Sequence, residues 1–334
     1  MFLAEKVTAG NCKNAPSKLC HKEQWGKKMR AFVFPGQGAQ MIGMGKALAD
    51  AYPQAQAVFD EVDAALDEKL SDLIWNGTPE ELTLTQNAQP ALMATSIAVF
   101  RVLESLGLAH ADYVAGHSLG EYSALCAAGA LSLSDTARLL RIRGKAMQQA
   151  VPVGVGAMAA LLGLDFAAAQ AVAAEAAQGE VCQAANDNDP AQVVVSGHVG
   201  AVTRALGIAK EKGAKRALLL PVSAPFHCAL MQPAADIMAH ALTNVIISVP
   251  RIALVSNVRA AAVSDPQEIR DLLVAQVTGS VRWRESILWM ERAGVTDYWE
   301  IGTGKALSGM IKRIAQAPVV VAVGTPNDVV ALHG

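Results

Sequence analysis

The segment that most constrains the fold is Gly-x-Ser-x-Gly at residues 116–120, which lies between a short apolar run and a stretch of helix-forming residues. Two glycines allow a turn so sharp that the hydroxyl of Ser118 stands clear of the chain at the start of a helix. The backbone N–H of Leu119 and the helix dipole would then face negative charge at the same place. The pattern predicts a strand, a tight turn and a helix. A glycine turn with an unreactive exposed serine is the alternative interpretation.

The composition excludes several classes of protein. The 334 residues are 52% hydrophobic and 17% charged, with a formal net charge of −2, so we expect a globular protein without nucleic-acid or membrane partners. The five cysteines are scattered, which favours a reducing, cytoplasmic location over disulfides or a metal site. Residues 1–28 are polar and lack an apolar run of signal-peptide length, so they are predicted to be a disordered extension or an upstream start ahead of Met29.

The first third of the chain predicts the start of an α/β domain. An apolar run at 31–34 predicts a buried strand, and helical periodicity follows to about residue 110, with Pro90 as a break. After the glycine-serine turn, Ser134 is predicted to cap a helix that ends near Gln149.

The middle of the chain has a different pattern. Residues 155–222 follow the order β-α-β-β-α-β, which is typical of a ferredoxin-like unit. Strands alternate with helices before and after this segment, as in a mostly parallel sheet. We therefore predict a large α/β domain from residues 29–154 and 223–328, with a small subdomain inserted at 155–222.

A reactive serine needs a base to accept its proton, and the chain has seven histidines. His227 follows a strand at the point where the chain returns from the insert to the large domain. Active sites are common in loops at such junctions. His227 is therefore the candidate base, and a histidine that caps the next helix is the alternative.

One cation in the predicted helix 134–149 lies on its apolar face. Arg143 shares that face, at i, i+3, i+4 spacing, with Thr136, Leu139, Leu140 and Met147. The other three cations of the helix fall largely on the opposite, solvated face; they are Arg138, Arg141 and Lys145. A buried guanidinium needs an anionic or strongly polar partner. Either a structural salt bridge or a site for a substrate carboxylate would provide one.

The loop at residues 35–40 is rich in glycine but lacks the spacing of a phosphate-binding loop. A dinucleotide fingerprint needs glycine where this chain has Met41, and Gly45-Lys46 is followed by alanine rather than serine or threonine. Folds with a serine turn of this kind take a second oxyanion-binding N–H from an early strand-to-helix loop. That role fits this loop better.

Six motifs occur in order along the chain: Phe-Val-Phe-Pro-Gly-Gln-Gly-Ala-Gln at 32–40, Gln-Pro-Ala-Leu at 89–92, the serine turn with its helix at 116–125, Arg-Gly-Lys at 143–145, Phe-His-Cys at 226–228, and Gln276 ahead of Val-Arg-Trp at 281–283. Together they resemble the malonyl-CoA:acyl carrier protein transacylases of fatty acid synthesis and the related acyltransferase domains of polyketide synthases. The resemblance covers residues 29–323. It implies an α/β-hydrolase-like large domain with a ferredoxin-like insert.

The resemblance also implies a role for each matching residue. Ser118 would be the nucleophile and His227 its base, and the backbone carbonyl of Gln276 would orient the histidine. The backbone N–H groups of Gln37 and Leu119 would form the oxyanion hole. The reaction would be a ping-pong transfer through a malonyl-serine, with malonyl-CoA as substrate and no metal or bound cofactor.

Selectivity and partner binding are implied in the same way. Arg143 would bind the malonyl carboxylate, and Phe226 with Leu119 would favour malonyl over methylmalonyl. Lys312 and Arg313 would help to dock the acidic acyl carrier protein, which carries the phosphopantetheine thiol; solvated residues at a helix end are the alternative. We expect a monomer.

Two other classes of protein remain open. A serine thioesterase or hydrolase could use the same turn, although Arg143 would then have no task. A non-catalytic adaptor could bind the carrier protein without forming an acyl-serine. Within the transferase reading, the product could supply fatty acid or polyketide assembly.

Overall fold

The structure, a computed structural model, describes residues 28–222 and 224–332. The extension predicted at 1–28 lies outside the described residues apart from its last position. Within the described ranges, no helix is both long enough and apolar enough to cross a membrane.

Ten strands and fourteen α-helices occur among the described residues. The strands are β1 Met29–Phe34, β2 Tyr113–Gly116, β3 Gly156–Leu162, β4 Cys182–Asp189, β5 Gln192–His198, β6 Arg216–Leu219, β7 Ala253–Val255, β8 Ala262–Val263, β9 Val295–Ile301 and β10 Val319–Val323. The helices are α1 Lys46–Ala51, α2 Pro53–Leu66, α3 Leu70–Asn76, α4 Pro79–Thr83, α5 Thr85–Ser105, α6 Gly120–Ala127, α7 Leu133–Gln149, α8 Phe166–Ala177, α9 Val199–Glu211, α10 Gln232–Thr243, α11 Pro266–Thr278, α12 Trp283–Arg292, α13 Ala306–Ile314 and α14 Pro326–Ala331.

Six strands form one sheet in the order β10-β9-β1-β2-β7-β8. Neighbouring strands are parallel except for the short pair β7 and β8. Side chains of β1 alternate between the two faces, with Phe32 and Phe34 in one apolar cluster and Ala31 and Val33 in another. Both faces are therefore buried, as expected for a parallel sheet covered by helices. The α/β prediction is confirmed.

Four strands form a second, antiparallel sheet in the order β4-β5-β3-β6. Helices α8 and α9 pack against it around an apolar cluster of their own. The element order is the predicted β-α-β-β-α-β, and β4 extends to Asp189. The ferredoxin-like insert is confirmed as a fold class, whereas the domain limits at 155 and 222 stay a prediction.

The insert is joined to the large domain along β4. Asn186 forms a parallel bridge with Val281 in the loop before α12. Asp187, with no exposed side-chain surface, is 2.9 Å from the guanidinium of Arg284. These contacts fix one edge of the small sheet against the site-bearing domain.

The prediction that Pro90 breaks the helical region is wrong, because Pro90 lies inside the continuous helix α5. A proline inside a helix leaves the carbonyl four residues earlier without its N–H donor. That carbonyl belongs to Gln86, and it accepts a hydrogen bond from Arg141 Nη1 at 2.8 Å. A donor from another helix thus replaces the lost bond.

Two predictions about helix α7 are also wrong. Its N-cap is Ser132 rather than Ser134, since the Ser132 hydroxyl accepts from the backbone N–H of Asp135 at 3.0 Å. Arg141 is not solvated: its side chain is 8% exposed and is paired with Glu68 at 2.6 Å. Helices α2, α5 and α10 all pack against α7, so the buried surface of α7 is wider than one apolar stripe.

Candidate active site

The serine turn follows β2 and leads directly into α6. Ser118 has a φ of 54°, a left-handed backbone conformation that strains a residue with a side chain. A Cβ at Gly116 would overlap the backbone of Gly120, and one at Gly120 would overlap the carbonyl of Phe34. The predicted strand, turn and helix are confirmed. The turn brings Ser118 to the wall of a cavity.

Asn257 holds this strained turn from the end of the neighbouring strand β7. Its side chain is buried, with Oδ1 accepting from the Ser118 N–H at 2.8 Å and Nδ2 donating to the carbonyl of Gly116 at 2.6 Å. The two bonds fix the backbone on both sides of the serine side chain. Asn257 was not among the predicted site residues. Its one signal was a polar residue at the carboxyl end of a parallel strand.

His227 reaches Ser118 from the loop that follows the insert. Its Nε2 lies 2.7 Å from the serine oxygen, and its Nδ1 lies 2.9 Å from the backbone carbonyl oxygen of Gln276. A carbonyl only accepts, so Nδ1 carries the proton and Nε2 of the neutral ring accepts from the serine. Burial and the charge of Arg143 lower the pKa of His227 to about 3, which keeps the ring neutral at physiological pH. Helix α10 receives no side-chain cap, so the helix-cap alternative is wrong.

Arg143 extends from α7 into the same cavity and is 1% exposed. Its guanidinium donates to Gln89 Oε1 at 2.8 Å, to Gln276 Oε1 at 2.9 Å and to the Ser118 hydroxyl oxygen at 3.1 Å. Burial lowers the pKa of this guanidinium, which nevertheless stays charged at neutral pH. No carboxylate of the described residues lies within ion-pair distance of it. The structural salt bridge therefore has no partner in the described part of the chain.

A buried carboxyl lies behind Arg143. Glu121 on α6 has no exposed surface, and its Oε2 accepts from Gln276 Nε2 at 2.6 Å and from the Asn257 N–H at 3.3 Å. Burial raises the pKa of Glu121 to about 7, even though these hydrogen bonds favour the charged form. Glu121 lies within the predicted serine motif but had no predicted role, because no residue pattern shows that its carboxyl is buried.

Gln276 uses both its backbone and its side chain at the site. While its carbonyl faces His227, its side-chain Nε2 also donates to the carbonyl of Ser118 at 2.9 Å. The side-chain Oε1 faces Arg143. The position was predicted for its backbone carbonyl alone, so the role of its side chain was missed. The contact of Gln89 with Arg143 was missed as well.

The cavity has a volume of about 520 Å³ and lies between the two sheets. Gln37 and Leu119 line it, and their backbone N–H groups donate to no other described residue. Apolar side chains line the opposite wall, among them Met158 and Val194 from the insert and Phe226 from the loop before His227. Nowhere in residues 28–222 and 224–332 do three His, Cys, Asp or Glu side chains lie close enough to hold a metal ion.

The two predicted docking cations lie outside this cavity, near the end of α13. Lys312 is exposed and makes no ion pair within the described ranges. Arg313 pairs with Asp189 of the insert at 2.8 Å, so it also helps to anchor the small sheet.

Comparison with known proteins identifies the family. Residues 31–297 match the family described as acyl transferase domain. The chain belongs to this family. It is 47% identical over 300 residues to the malonyl CoA-acyl carrier protein transacylase of Bacillus subtilis (strain 168), a match that covers 90% of this chain and 94% of that relative.

Solved structures agree with this assignment. An acyl-carrier-protein S-malonyltransferase from Bartonella henselae is 56% identical, with a TM-score of 0.89 over 91% of this chain and 98% of that one. A malonyl transacylase solved with a type II polyketide synthase acyl carrier protein is 42% identical, with a TM-score of 0.89 over 91% and 98% of the two chains. The resemblance expected from the motifs is confirmed.

Proposed function

We propose that this enzyme transfers a malonyl group from malonyl-CoA to the phosphopantetheine thiol of acyl carrier protein, supplying fatty acid synthesis. The observation that carries the proposal is the buried Arg143, whose Nη2 lies 3.1 Å from the hydroxyl oxygen of Ser118. A buried cation without a carboxylate partner beside a reactive hydroxyl suits an acyl group that carries its own negative charge. Membership of the acyl transferase family supports the same reaction.

In the first half-reaction, Ser118 attacks the thioester carbonyl of malonyl-CoA while Nε2 of His227 takes the hydroxyl proton. The bond between Nδ1 and the Gln276 carbonyl holds the required tautomer. The unpaired N–H groups of Gln37 and Leu119 stabilise the tetrahedral oxyanion, each contributing about 3 kcal/mol to lowering the barrier. Coenzyme A then leaves as a thiol, protonated by the histidine.

In the second half-reaction, the phosphopantetheine thiol attacks the malonyl-serine through the same groups. His227 accepts the thiol proton and returns it to the serine oxygen. The cycle uses no redox step, and we assign no metal or bound cofactor to it.

The shape of the cavity supports selectivity for malonyl. Arg143 meets the distal carboxylate, whereas an acetyl group would leave its guanidinium without a direct anionic partner. Phe226, 8% exposed, and Leu119, 1% exposed, fill the space that a methyl branch would need.

The acidic carrier protein would dock near the end of α13, where Lys312 offers an exposed cation. We further infer a monomeric, cytoplasmic enzyme, consistent with three buried free cysteines among the described residues. A second candidate is delivery to a polyketide synthase carrier protein, favoured by the solved complex of a 42% identical transacylase with such a partner.

Intact mass spectrometry tests the proposal. Mixing the enzyme with malonyl-CoA should give one malonyl adduct on Ser118, which the carrier protein then removes. The Ser118→Ala variant is the control and should give no adduct. Steady release of free malonate without carrier protein would instead identify a hydrolase, and carrier binding without any adduct would identify an adaptor.

A further inference from the structure

Two buried opposite charges beside the serine do not touch each other. Glu121 is 0% and Arg143 1% exposed, yet the side-chain amide of Gln276 lies between them. Its Nε2 donates to Glu121 Oε2 at 2.6 Å, and its Oε1 accepts from Arg143 Nη2 at 2.9 Å. The amide thus couples the carboxylate to the guanidinium through two hydrogen bonds, and the guanidinium makes no direct ion pair.

We propose that Glu121 is the counterion of Arg143 through the Gln276 amide, and that it takes up a proton when a malonyl carboxylate occupies the site. The inference rests on the function proposed above. In the empty site one buried positive charge balances one negative charge. A substrate carboxylate adds a second negative charge, and protonation of Glu121 restores neutrality at small cost. Glu121 is a positioning residue, since it does not line the cavity.

Among the groups around Arg143, Glu121 is the one that can accept a proton near neutral pH. The groups that face it are Tyr122 on α6 itself, Arg143 on α7, Gln276 on α11, and Ser256 and Asn257 in the loop after β7. His227 lies farther away, beyond Arg143. Burial raises the pKa of Tyr122 to about 12, and the pKa of His227 is lowered to about 3, so neither titrates near neutrality. Burial raises that of Glu121 to about 7.

Protonation of Glu121 makes malonyl-CoA binding depend on pH. Below neutral pH, Glu121 is already protonated, and the malonyl carboxylate meets an uncompensated guanidinium. Above it, Glu121 is charged and must first gain a proton. The apparent KM for malonyl-CoA should therefore rise as the pH increases through about 7.

The first test uses the wild-type enzyme with malonyl-CoA in weakly buffered solution containing an indicator dye. Acylation moves the serine proton to the coenzyme A sulfur, so the chemistry itself neither consumes nor releases protons near neutrality. We expect uptake of a fraction of a proton per malonyl-serine, counted by mass spectrometry. Malonyl-serine without proton uptake would overturn this inference alone. Absence of malonyl-serine would overturn the proposed function with it.

The second test removes the charge while keeping an acceptor for Gln276. Glu121→Gln should lower the KM for malonyl-CoA by roughly three- to tenfold up to one pH unit above neutrality, the cost of protonating a buried carboxyl whose pKa is about 7, and abolish both the pH dependence and the proton uptake. Ser123→Ala, a buried change on the same helix at a hydroxyl without a hydrogen bond, is the matched control and should behave as wild type. A fall in kcat with an unchanged or raised KM would mean a purely structural role. If Glu121→Gln does not fold, the wild-type proton uptake decides.

Discussion

At the scale of single residues, the site depends on a guanidinium whose partners are neutral. Arg143 donates to two amide oxygens and one hydroxyl, which do not neutralise its charge, and its buried Nε has no hydrogen-bond partner. An ionised group in such surroundings gains most from an anion that arrives with the substrate. Under the proposed function, the malonyl carboxylate would therefore be part of the charge balance of the site.

Arg143→Ala should reduce kcat/KM for malonyl transfer by a factor equivalent to about 2–4 kcal/mol, because the malonyl carboxylate would be buried without a partner. Transfer of an acetyl group should fall much less. Arg143→Lys retains the charge but loses the planar fork, so its loss should be intermediate. Steady-state transfer from malonyl-CoA and acetyl-CoA to carrier protein measures the ratio. An equal fall in kcat/KM for both substrates would show that Arg143 does not bind the malonyl carboxylate.

At the scale of elements, α5 and α7 are joined by a hydrogen bond that compensates for a proline. Pro90 deprives the Gln86 carbonyl of its helical donor, and Arg141 supplies another from α7. The pair explains both why the helix does not break and why this cation is buried. One long-range contact therefore accounts for two departures from the sequence prediction.

Arg141→Ala should lower the free energy of unfolding by about 1–3 kcal/mol, since the Gln86 carbonyl loses its donor. In a Pro90→Ala background, the new backbone N–H can bond that carbonyl, so the same substitution should cost measurably less. Urea unfolding of the four chains measures the coupling. Arg138→Ala, at a 53% exposed side chain on the same helix, is the control and should cost less than about 1 kcal/mol. An equal loss of unfolding free energy in the two backgrounds would show that Arg141 does not compensate for Pro90.

Local signals predicted the elements whose order and periodicity are encoded nearby. The turn at Ser118, the strand β1 and the order of elements in the insert depend on glycine placement and apolar periodicity. The cap at Ser132 was missed because Ser134, two residues on, offers the same chemistry. Asn257 and Gln89 reach the site only through tertiary packing, which one sequence does not reveal. The roles of Gln37 and Gln276 came from resemblance rather than from spacing.

At the scale of the whole molecule, the cavity exists because two sheets are held against each other. Arg284 and Arg313 of the large domain pair with Asp187 and Asp189 on the edge strand of the insert. Asp187 and Asp189 are almost fully buried, so the loss of either arginine would leave a buried carboxylate without its partner. The insert therefore forms a fixed wall of the cavity.

The two cations of α13 should separate docking from anchoring. Lys312→Glu should raise the apparent KM for carrier protein roughly three- to tenfold, because it repels an acidic partner, and leave that for malonyl-CoA unchanged. Arg313→Glu should also lower the melting temperature, since it breaks the pair with Asp189. Steady-state kinetics with each substrate varied in turn and thermal unfolding measure the two effects. Unchanged carrier kinetics in Lys312→Glu would move the docking surface elsewhere.

The crowded glycines of the serine turn limit where new specificity can arise. No side chain fits at Gly116 or Gly120, and Asn257 holds the backbone between them. Mutational libraries aimed at that half of the cavity would mostly yield unfolded chains. The opposite half is lined by Met158, Ala160 and Val194 of the insert, whose side-chain volume can be changed without altering a strained turn. Variants that accept bulkier building blocks should be sought on the insert.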